Sequence, residues 1–314
     1  MGSRRDTPGA WAARKQELAL VREFVRDARR YLRYSIPSGG AERFTSMDGM
    51  NLDAAATRLY HRIEKALTFP QPKQPFGARI AGPLRRALDN PAAEGTFFAA
   101  QVSSALEALA TWNAAGEVDQ EIAPFGDGAG HRLDPAAVAA LFESRHSVRN
   151  FGRDRPVDRA LIQEAVRLAG TAPSVCNRQS WHAYYFDDRE DVRRLLAIHH
   201  GSAGFQSTVP GLFVVTADLR GFGDLRERNQ GWIDGGLFSM SLLLALHGLG
   251  LGAISLNWSR SNASSDRLRA AAGIPEHDNI IMLVATGYPA PGYRVARSPR
   301  RPLAQILRIG MPPG

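Results

Sequence analysis

The hydrophobic and polar positions divide the chain into two regions of different character. Up to about residue 115, apolar side chains such as Leu18, Val21 and Val25 recur at helical spacing among arginines. From residue 135 on, short β-branched and aromatic runs alternate with amphipathic segments, which predicts a sheet covered by helices. The predicted organisation is a helical N-terminal extension at 1–115, an acidic, glycine-rich linker at 116–134 and a second domain at 135–314.

The same periodicities locate individual elements. Asp53 is predicted to cap a helix that runs to Leu67, because Pro70 stops it. The other predicted helices are Ala10–Tyr34, a segment within Gly95–Ala115, Asp158–Ala169, Arg189–Ala197, Ile233–Leu249 and Ser264–Ala272. The predicted strands are Ala183–Phe186, Leu212–Thr216, Ala253–Leu256 and Ile280–Thr286.

Composition narrows the class of protein. The chain has 314 residues, 44% of them hydrophobic, and a net charge of +8 that is carried mostly by arginine. No apolar run approaches the ~18 residues of a membrane span, and the N-terminus has no apolar core of a signal peptide. The single cysteine, Cys176, fits a reducing compartment. We therefore predict a cytoplasmic protein that binds no membrane and no nucleic acid, since no nucleic-acid motif accompanies the charge.

Two glycine-rich and histidine-rich features predict no chemistry. Gly248, Gly250 and Gly252 follow a helix and precede a strand, the reverse of the order that a dinucleotide fingerprint needs, so they predict a helix end and a tight turn. The adjacent His199 and His200 lack a cysteine or acidic partner at metal-ligand spacing. We expect no metal site.

Three polar stretches carry candidate chemistry. In an extended segment, Arg145, Ser147 and Arg149 share one face and offer two guanidinium forks to a phosphate; the alternative is a solvated charged strand. The loop Ala172–Trp181 offers hydroxyls, amides and a guanidinium that suit the pyrimidine edge of a flavin; the alternative is an ordinary polar turn. The segment Arg297–Leu303 is either a second phosphate contact or a basic tail.

In this order and spacing, the sequence resembles nitroreductase-like flavoproteins. The matching segments are SRHSVRNF, APSVCNRQSWHAYYF, WIDGGLFSMSLLLALHGLGLGAISLNW, IIMLVATGYP and RSPRRPL, and the resemblance covers about Val138–Leu307. It implies an α+β, nitroreductase-like fold with a mixed central sheet flanked by helices. It also implies a homodimer with FMN at the interface, NAD(P)H as electron donor and a small organic acceptor.

The family's cofactor-binding positions can be carried over to this chain, although no catalytic residue can be assigned. The resemblance implies that Arg145 and Ser147 hold the FMN phosphate and ribityl chain, and that Arg149 reaches the N1/C2 edge of the ring. The loop residues would come from the partner subunit, and the late basic segment would contribute Arg300, with Arg297 or Arg301 as a second phosphate contact. The full set of candidate cofactor-binding residues is Arg145, His146, Ser147, Arg149, Pro173, Ser174, Asn177, Ser255, Leu256, Arg297, Arg300 and Arg301.

Departures from the family pattern leave the reaction open. Ser180 stands where many relatives have proline, and Leu256-Asn257-Trp258 differs from the common nitroreductase pattern. The leading hypothesis is two-electron transfer from NAD(P)H to a small organic acceptor. The alternatives are a flavin-dependent dehydrogenase or oxidase that tailors a biosynthetic intermediate, and a non-catalytic flavin-binding protein.

The extension contains one further motif. YHRIEKALTFPQPKQPFG, which begins at Tyr60, resembles the helical extension of a subset of bacterial nitroreductase-like proteins. Two roles are open for it: His61, Glu64 and Lys65 line the active site, or the extension only buttresses a dimer.

Overall fold

The computed structural model describes residues 8–37, 40–126, 133–152 and 155–310. The helices are α1 (Pro8–Tyr34), α2 (Gly49–Leu67), α3 (Ala78–Leu88), α4 (Phe97–Ala115), α5 (Pro135–Ser144), α6 (Arg159–Ala169), α7 (Arg189–His199), α8 (Gln230–Gly248), α9 (Asn262–Ala272) and α10 (Leu303–Ile306). The strands are β1 (Trp181–Phe186), β2 (Gly211–Asp218), β3 (Gly252–Asn257) and β4 (Asp278–Gly287). Every strand predicted from the sequence is present.

The four strands form one sheet in the order β1-β2-β4-β3. Each neighbouring pair is antiparallel, and a register shift between Val215 and Thr216 marks a bulge in β2. Among the described residues, parallel pairing is confined to two isolated bridges, Ile36 with Gly223 and Ser147 with Ala253. The α+β, nitroreductase-like fold class is confirmed, and the parallel component of the expected mixed sheet is limited to these bridges.

Apolar residues form separate cores in the two regions. In the N-terminal region, the interior joins α2, α3 and α4 and draws only on residues between 36 and 123. In the second region, one sheet face packs on α7 and α9, and the other packs on α6 and α8. Ala123 belongs to the helical core, so part of the predicted linker packs on the extension.

Side-chain caps fix where most helices begin. Asp48 caps α2 by accepting a hydrogen bond from the amide of Asn51, so the prediction that Asp53 caps this helix is wrong. Asp53 lies one turn inside α2, where its carboxylate accepts a hydrogen bond from Thr57. The sequence signal for the start of α2 was ambiguous, because Asp48 and Asp53 both precede its apolar run. The predicted end at Leu67 is correct.

The glycines after α8 behave as expected. The helix ends at Gly248, Gly250 adopts a left-handed φ of 80°, and the amide of Leu251 donates to the carbonyl of Leu246 at 2.9 Å. This bond closes the helix end as in a Schellman turn. The segment is therefore a structural turn and not a nucleotide loop.

Polar contacts join the helical region to the second region. Arg30 of α1 donates to the carbonyls of Glu276 and Asp278 and to the side chain of Asn279. Asn51 of α2 donates to the carbonyl of Arg220 at 2.9 Å. No helix among the described residues combines the length and apolar character that a membrane span needs.

Candidate active site

Two segments that are far apart in the sequence meet at one small cavity. Arg145, Ser147 and Arg149 come from the extended stretch after α5, and Ser298 and Arg300 come from the C-terminal stretch before α10. Together with His146 and Ala296, they line a cavity of about 180 Å³. The structure thus brings together the first and third polar stretches found in the sequence.

The first stretch is held against the edge of β3. The amide of Val148 donates to the carbonyl of Ala253 at 3.0 Å, and the Val148 side chain is buried. Gly252 is required at the start of β3, because a Cβ there would lie 2.9 Å from a methyl carbon of Val148. Since side chains alternate along an extended chain, burying Val148 leaves Ser147 and Arg149 on the cavity side.

The cavity is electropositive. Among the described residues, no carboxylate forms an ion pair with Arg145, Arg149 or Arg300, whereas several other arginines of the sheet region are paired. Next to the cavity, His247 lies 2.7 Å from the hydroxyl of Ser144. Burial, followed by the charge of Arg145, lowers the pKa of His247, so this imidazole is neutral at pH 7. The arginines therefore supply positive charge to the cavity, and His247 does not.

Only one of the three C-terminal candidate arginines lines the cavity. Arg300 lines the cavity and donates to the carbonyl of Ser298 at 2.8 Å, whereas Arg297 and Arg301 are not among the lining residues. Arg301 instead approaches the side chain of Gln305. The family resemblance pointed to Arg300, with Arg297 or Arg301 as a second phosphate contact, and only Arg300 lines the cavity.

The second polar stretch is a strained loop. Cys176, Asn177 and Gln179 all have positive φ, near 50°, although none is glycine. Such conformations cost about 1–3 kcal/mol each and persist only when the surroundings enforce them. Pro173 and Asn177 are exposed and Ser174 is half-buried, so the polar groups predicted to bind cofactor face outward or lie near the surface.

Arg178 stabilises the backbone of this loop. Its side chain is fully buried and forms a forked pair with Glu227, at 2.9 and 2.7 Å. It also donates to the carbonyls of Val175 and Gly221. The expectation that the loop offers this guanidinium to a flavin is wrong. The Arg178 side chain is buried, and each of its three nitrogens already donates to Glu227 or to a backbone carbonyl. Its role is to brace the backbone that carries Ser174 and Asn177.

The loop and the cavity lie at opposite ends of α8. The amide of Val175 donates to the carboxylate of Asp234, near the start of the helix, and burial, as the largest effect, raises the pKa of Asp234. Ser144, next to the cavity, contacts His247 near the helix end. Asp234 and His247 are 13 positions apart on this helix, which corresponds to about 20 Å. One chain therefore does not bring both polar stretches to the same place.

The β3 candidates divide between surface and core. Ser255 is exposed, whereas Leu256 is buried and packs with Leu268 and Leu283. The side chain of Leu256 is therefore unavailable to a ligand, and only its backbone borders the open side of the strand. The alternation of a strand placed at the sheet edge decides this.

One group of described residues has the composition of a metal site. His182, Asp218 and Asp278 place ligand atoms within 4.8 Å of one another. All of their acceptors already have donors: Asp278 accepts from His182, Tyr184 and Thr216, and Asp218 accepts from Arg220. Burial alone would raise the pKa of Asp278, but these hydrogen bonds lower it to about 2. The carboxylate oxygens of both aspartates therefore already accept hydrogen bonds from protein donors, including Arg220.

Comparison with known proteins identifies the family. The sequence model of the nitroreductase family matches residues 142–204. An NADH dehydrogenase of Thermus thermophilus is 30% identical over 204 residues, which cover 55% of this chain and 94% of the relative. The chain belongs to the nitroreductase family. It is therefore an oxidoreductase by family, as the sequence motifs predicted.

Solved nitroreductase-family structures match the same part of the chain. The Bacillus subtilis protein ydfN superimposes with a TM-score of 0.51 at 16% identity, covering 56% of this chain and all of its own. This match shows the shared fold. A Desulfovibrio desulfuricans protein solved in complex with FMN is similar at a TM-score of 0.48 and 24% identity, over 58% of this chain and 100% of that one. The family part is thus little more than half of the molecule.

Proposed function

We propose that this protein is an FMN-dependent oxidoreductase that transfers two electrons from NAD(P)H to a small organic acceptor, as a homodimer. The observation that carries the proposal is the cavity in which Arg145, Arg149 and Arg300 converge without a carboxylate partner among the described residues. Uncompensated guanidinium groups favour a bound anion, and a forked donor suits phosphate.

The size of the cavity fits the phosphate end of FMN. About 180 Å³ accommodates a phosphate and the start of a ribityl chain but not a three-ring system. The ring would lie along the open side of β3, beside the exposed Ser255 and within reach of Arg149. A cation there would stabilise negative charge on the reduced ring. FMN itself supplies the redox chemistry when bound, and the protein binds, orients and charges its surroundings.

A second subunit would complete the site. The loop with Ser174 and Asn177 lies about 20 Å along α8 from the cavity of its own chain, so an antiparallel pairing of two α8 helices would place it over the cavity of the partner. Ile233, Leu237 and Met240 are exposed along α8 at helical spacing, and a Cβ at Gly236 would meet nothing within 4 Å. This apolar stripe supports a helix–helix contact.

Binding of FMN to defined variants tests the proposal. Purified protein is expected to be yellow, and Arg145→Gln/Arg300→Gln is expected to lose FMN by at least about 100-fold in affinity, because two charge-assisted contacts disappear. Arg297→Gln/Arg301→Gln removes the same charge outside the cavity and should bind FMN normally. A protein that binds no FMN, or equal loss in both variants, would refute the assignment.

Subunit complementation tests the shared site. Arg145→Gln/Arg300→Gln lacks the cavity, and Ser174→Ala/Asn177→Ala lacks the loop, so each homodimer should bind FMN poorly. Mixed dimers contain one site with both halves intact and should recover FMN binding and reduction by NADH or NADPH in stopped-flow experiments. Failure of the mixture to recover binding, with mixed dimers verified by native mass spectrometry, would show that each site uses one chain.

A further inference from the structure

A second basic cavity lies in the helical region, in the motif that begins at Tyr60. Arg62, Lys65 and Phe69 form one wall, on one face of the end of α2 and the turn after it. The other wall is the start of α3, from Phe76 to Ile80. The cavity between them measures about 500 Å³ and is lined only by residues of the helical region.

The second wall is fixed in place before any ligand arrives. Asn113 of α4 accepts a hydrogen bond from the amide of Phe76 at 2.9 Å and donates to its carbonyl at 3.0 Å. Trp112 likewise donates to the carbonyl of Lys73 at 2.8 Å. Gly77 has a φ of 83°, and a Cβ there would lie 2.6 Å from a methyl carbon of Leu109. The turn thus packs directly on α4.

The cavity carries positive charge that nothing in the described chain neutralises. Arg62, Lys65 and Arg79 line it, and no carboxylate among the described residues forms an ion pair with any of them. The nearby Glu64 is instead bound to His61, at 2.7 Å. The amides of Ala78 and Arg79 lie in the first turn of α3, whose N-cap Gly77 offers no capping side chain. These amides add donors beside the cations.

The apolar lining adds a second recognition element. Phe69 is exposed, Phe76 is half-buried, and both border the cavity together with Ala66 and Ile80. Such a mixture of a few charged groups and aromatic rings is typical of small-molecule sites. We infer that this cavity binds an aromatic phosphate monoester, with the phosphate on Arg62, Lys65 and Arg79 and the ring between Phe69 and Phe76.

Isothermal titration of the full-length, FMN-saturated protein with phenyl phosphate tests the inference. Saturable binding with a dissociation constant below about 1 mM is expected. Inorganic phosphate and phenol each lack half of the proposed contacts, so each should bind at least about tenfold more weakly. Absence of saturable heat with phenyl phosphate, or equal binding of inorganic phosphate alone, would overturn it.

Two matched variants locate the binding. Arg62→Gln/Arg79→Gln should weaken phenyl phosphate at least about tenfold, while Arg85→Gln/Arg86→Gln, with the same charge change on exposed positions of the same helical region, should change it less than about twofold. Equal weakening in both would indicate mere charge attraction and contradict a built site. Phe69→Ala should weaken phenyl phosphate but leave inorganic phosphate unchanged.

A third variant separates this cavity from the proposed FMN site. Arg145→Gln/Arg300→Gln should bind phenyl phosphate as the unmodified protein does, because its substitutions lie in the other region. If this variant loses the probe and Arg62→Gln/Arg79→Gln keeps it, the phosphate had entered the FMN cavity and the inference is wrong. The outcome does not depend on whether the protein reduces any acceptor.

Discussion

The two basic cavities of this protein are built in opposite ways. The cavity of the helical region uses residues 62–80, which are neighbours in sequence, whereas the cavity of the family region joins residues 145–149 to residues 296–300. The first needs only α2, α3 and the turn between them, which α4 holds in place. The second exists only when the sheet has formed, because β3 positions Val148 and the chain after β4 returns past it. The comparison shows that similar charge can be assembled locally or through the whole fold.

The arginines of the protein fall into two groups, buried and exposed. Arg178 is fully buried and satisfied by Glu227, while Arg62 and Arg79 are exposed. A buried guanidinium fixes backbone, whereas an exposed one without a carboxylate partner is available to a ligand. Five changes test the roles of these arginines and the stability of the two regions.

Loss of FMN from Arg145→Gln/Arg300→Gln, measured by FMN titration, is the largest expected effect on cofactor binding. The free energy of unfolding should change little, because neither guanidinium is buried or paired with a carboxylate in the described chain. A large loss of stability would instead assign these arginines a structural role.

Arg178→Met should lower the free energy of unfolding by about 3 kcal/mol, because it leaves the half-buried Glu227 without its counter-charge. FMN affinity should fall as well, since the strained loop loses its brace. Denaturant unfolding and FMN titration measure the two effects. Arg193→Met, which breaks an exposed pair with Glu190, is the control and should change neither. Normal FMN affinity in Arg178→Met would contradict the bracing role.

Leu84→Ala should cost about 3 kcal/mol, because a fully buried side chain of the helical core leaves a cavity. The effect should stay in the helical region, so hydrogen exchange should accelerate in α2, α3 and α4 while FMN affinity remains within about twofold. Leu32→Ala, at an exposed position of α1, is the control. Equal acceleration in the sheet would show that the two cores unfold together.

Acid should destabilise the sheet region through Asp278. Its pKa is lowered from 3.8 to about 2 in the folded protein, so its contribution is fully present above pH 4 and is lost as the pH falls towards 2. The shift corresponds to about 2 kcal/mol. Chemical denaturation across this range should show a shallower pH dependence in Asp278→Asn than in the unmodified protein. Parallel curves would refute the shift.

Asn51→Ala should have the smallest effect, about 1 kcal/mol, because it removes hydrogen bonds to the carbonyls of Arg220 and Tyr34 at the contact between the regions. Thermal unfolding should become broader as the two cores separate. Thr68→Ala, which removes only a local bond to Lys65, should leave the transition sharp.

Much of the architecture could be predicted from sequence because its signals are local. The predicted strands lie within the observed ones, and Arg189, Leu67 and Ala272 are correct helix boundaries. The segment Ala78–Leu88 had no predicted helix of its own, since Pro83 in its interior is typical of a helix break. Asp53 was wrong as a cap because the choice between two nearby aspartates depends on which backbone amide each reaches.

The cofactor residues divide along the same line. The motifs predicted the family and the stretch Arg145–Arg149, whose alternation is a local property of extended chain. The resemblance pointed to Arg300, whereas the exclusion of Arg297 and Arg301 from the cavity required the path of the C-terminal stretch. Whether Ser174 and Asn177 reach a cofactor depends on a second chain and stays a prediction, as does the boundary at 116–134.

The sequence by itself therefore determined the family, the order of the elements and the chemical types of residue that a phosphate site needs. The tertiary structure decided which arginines remain exposed at a cavity and which form buried ion pairs. Arg178 lies among the residues of a binding motif, yet its side chain is buried and paired with Glu227, 49 positions away. Periodicity and propensity act over a few residues, whereas the partner of a buried charge is set by how distant segments pack.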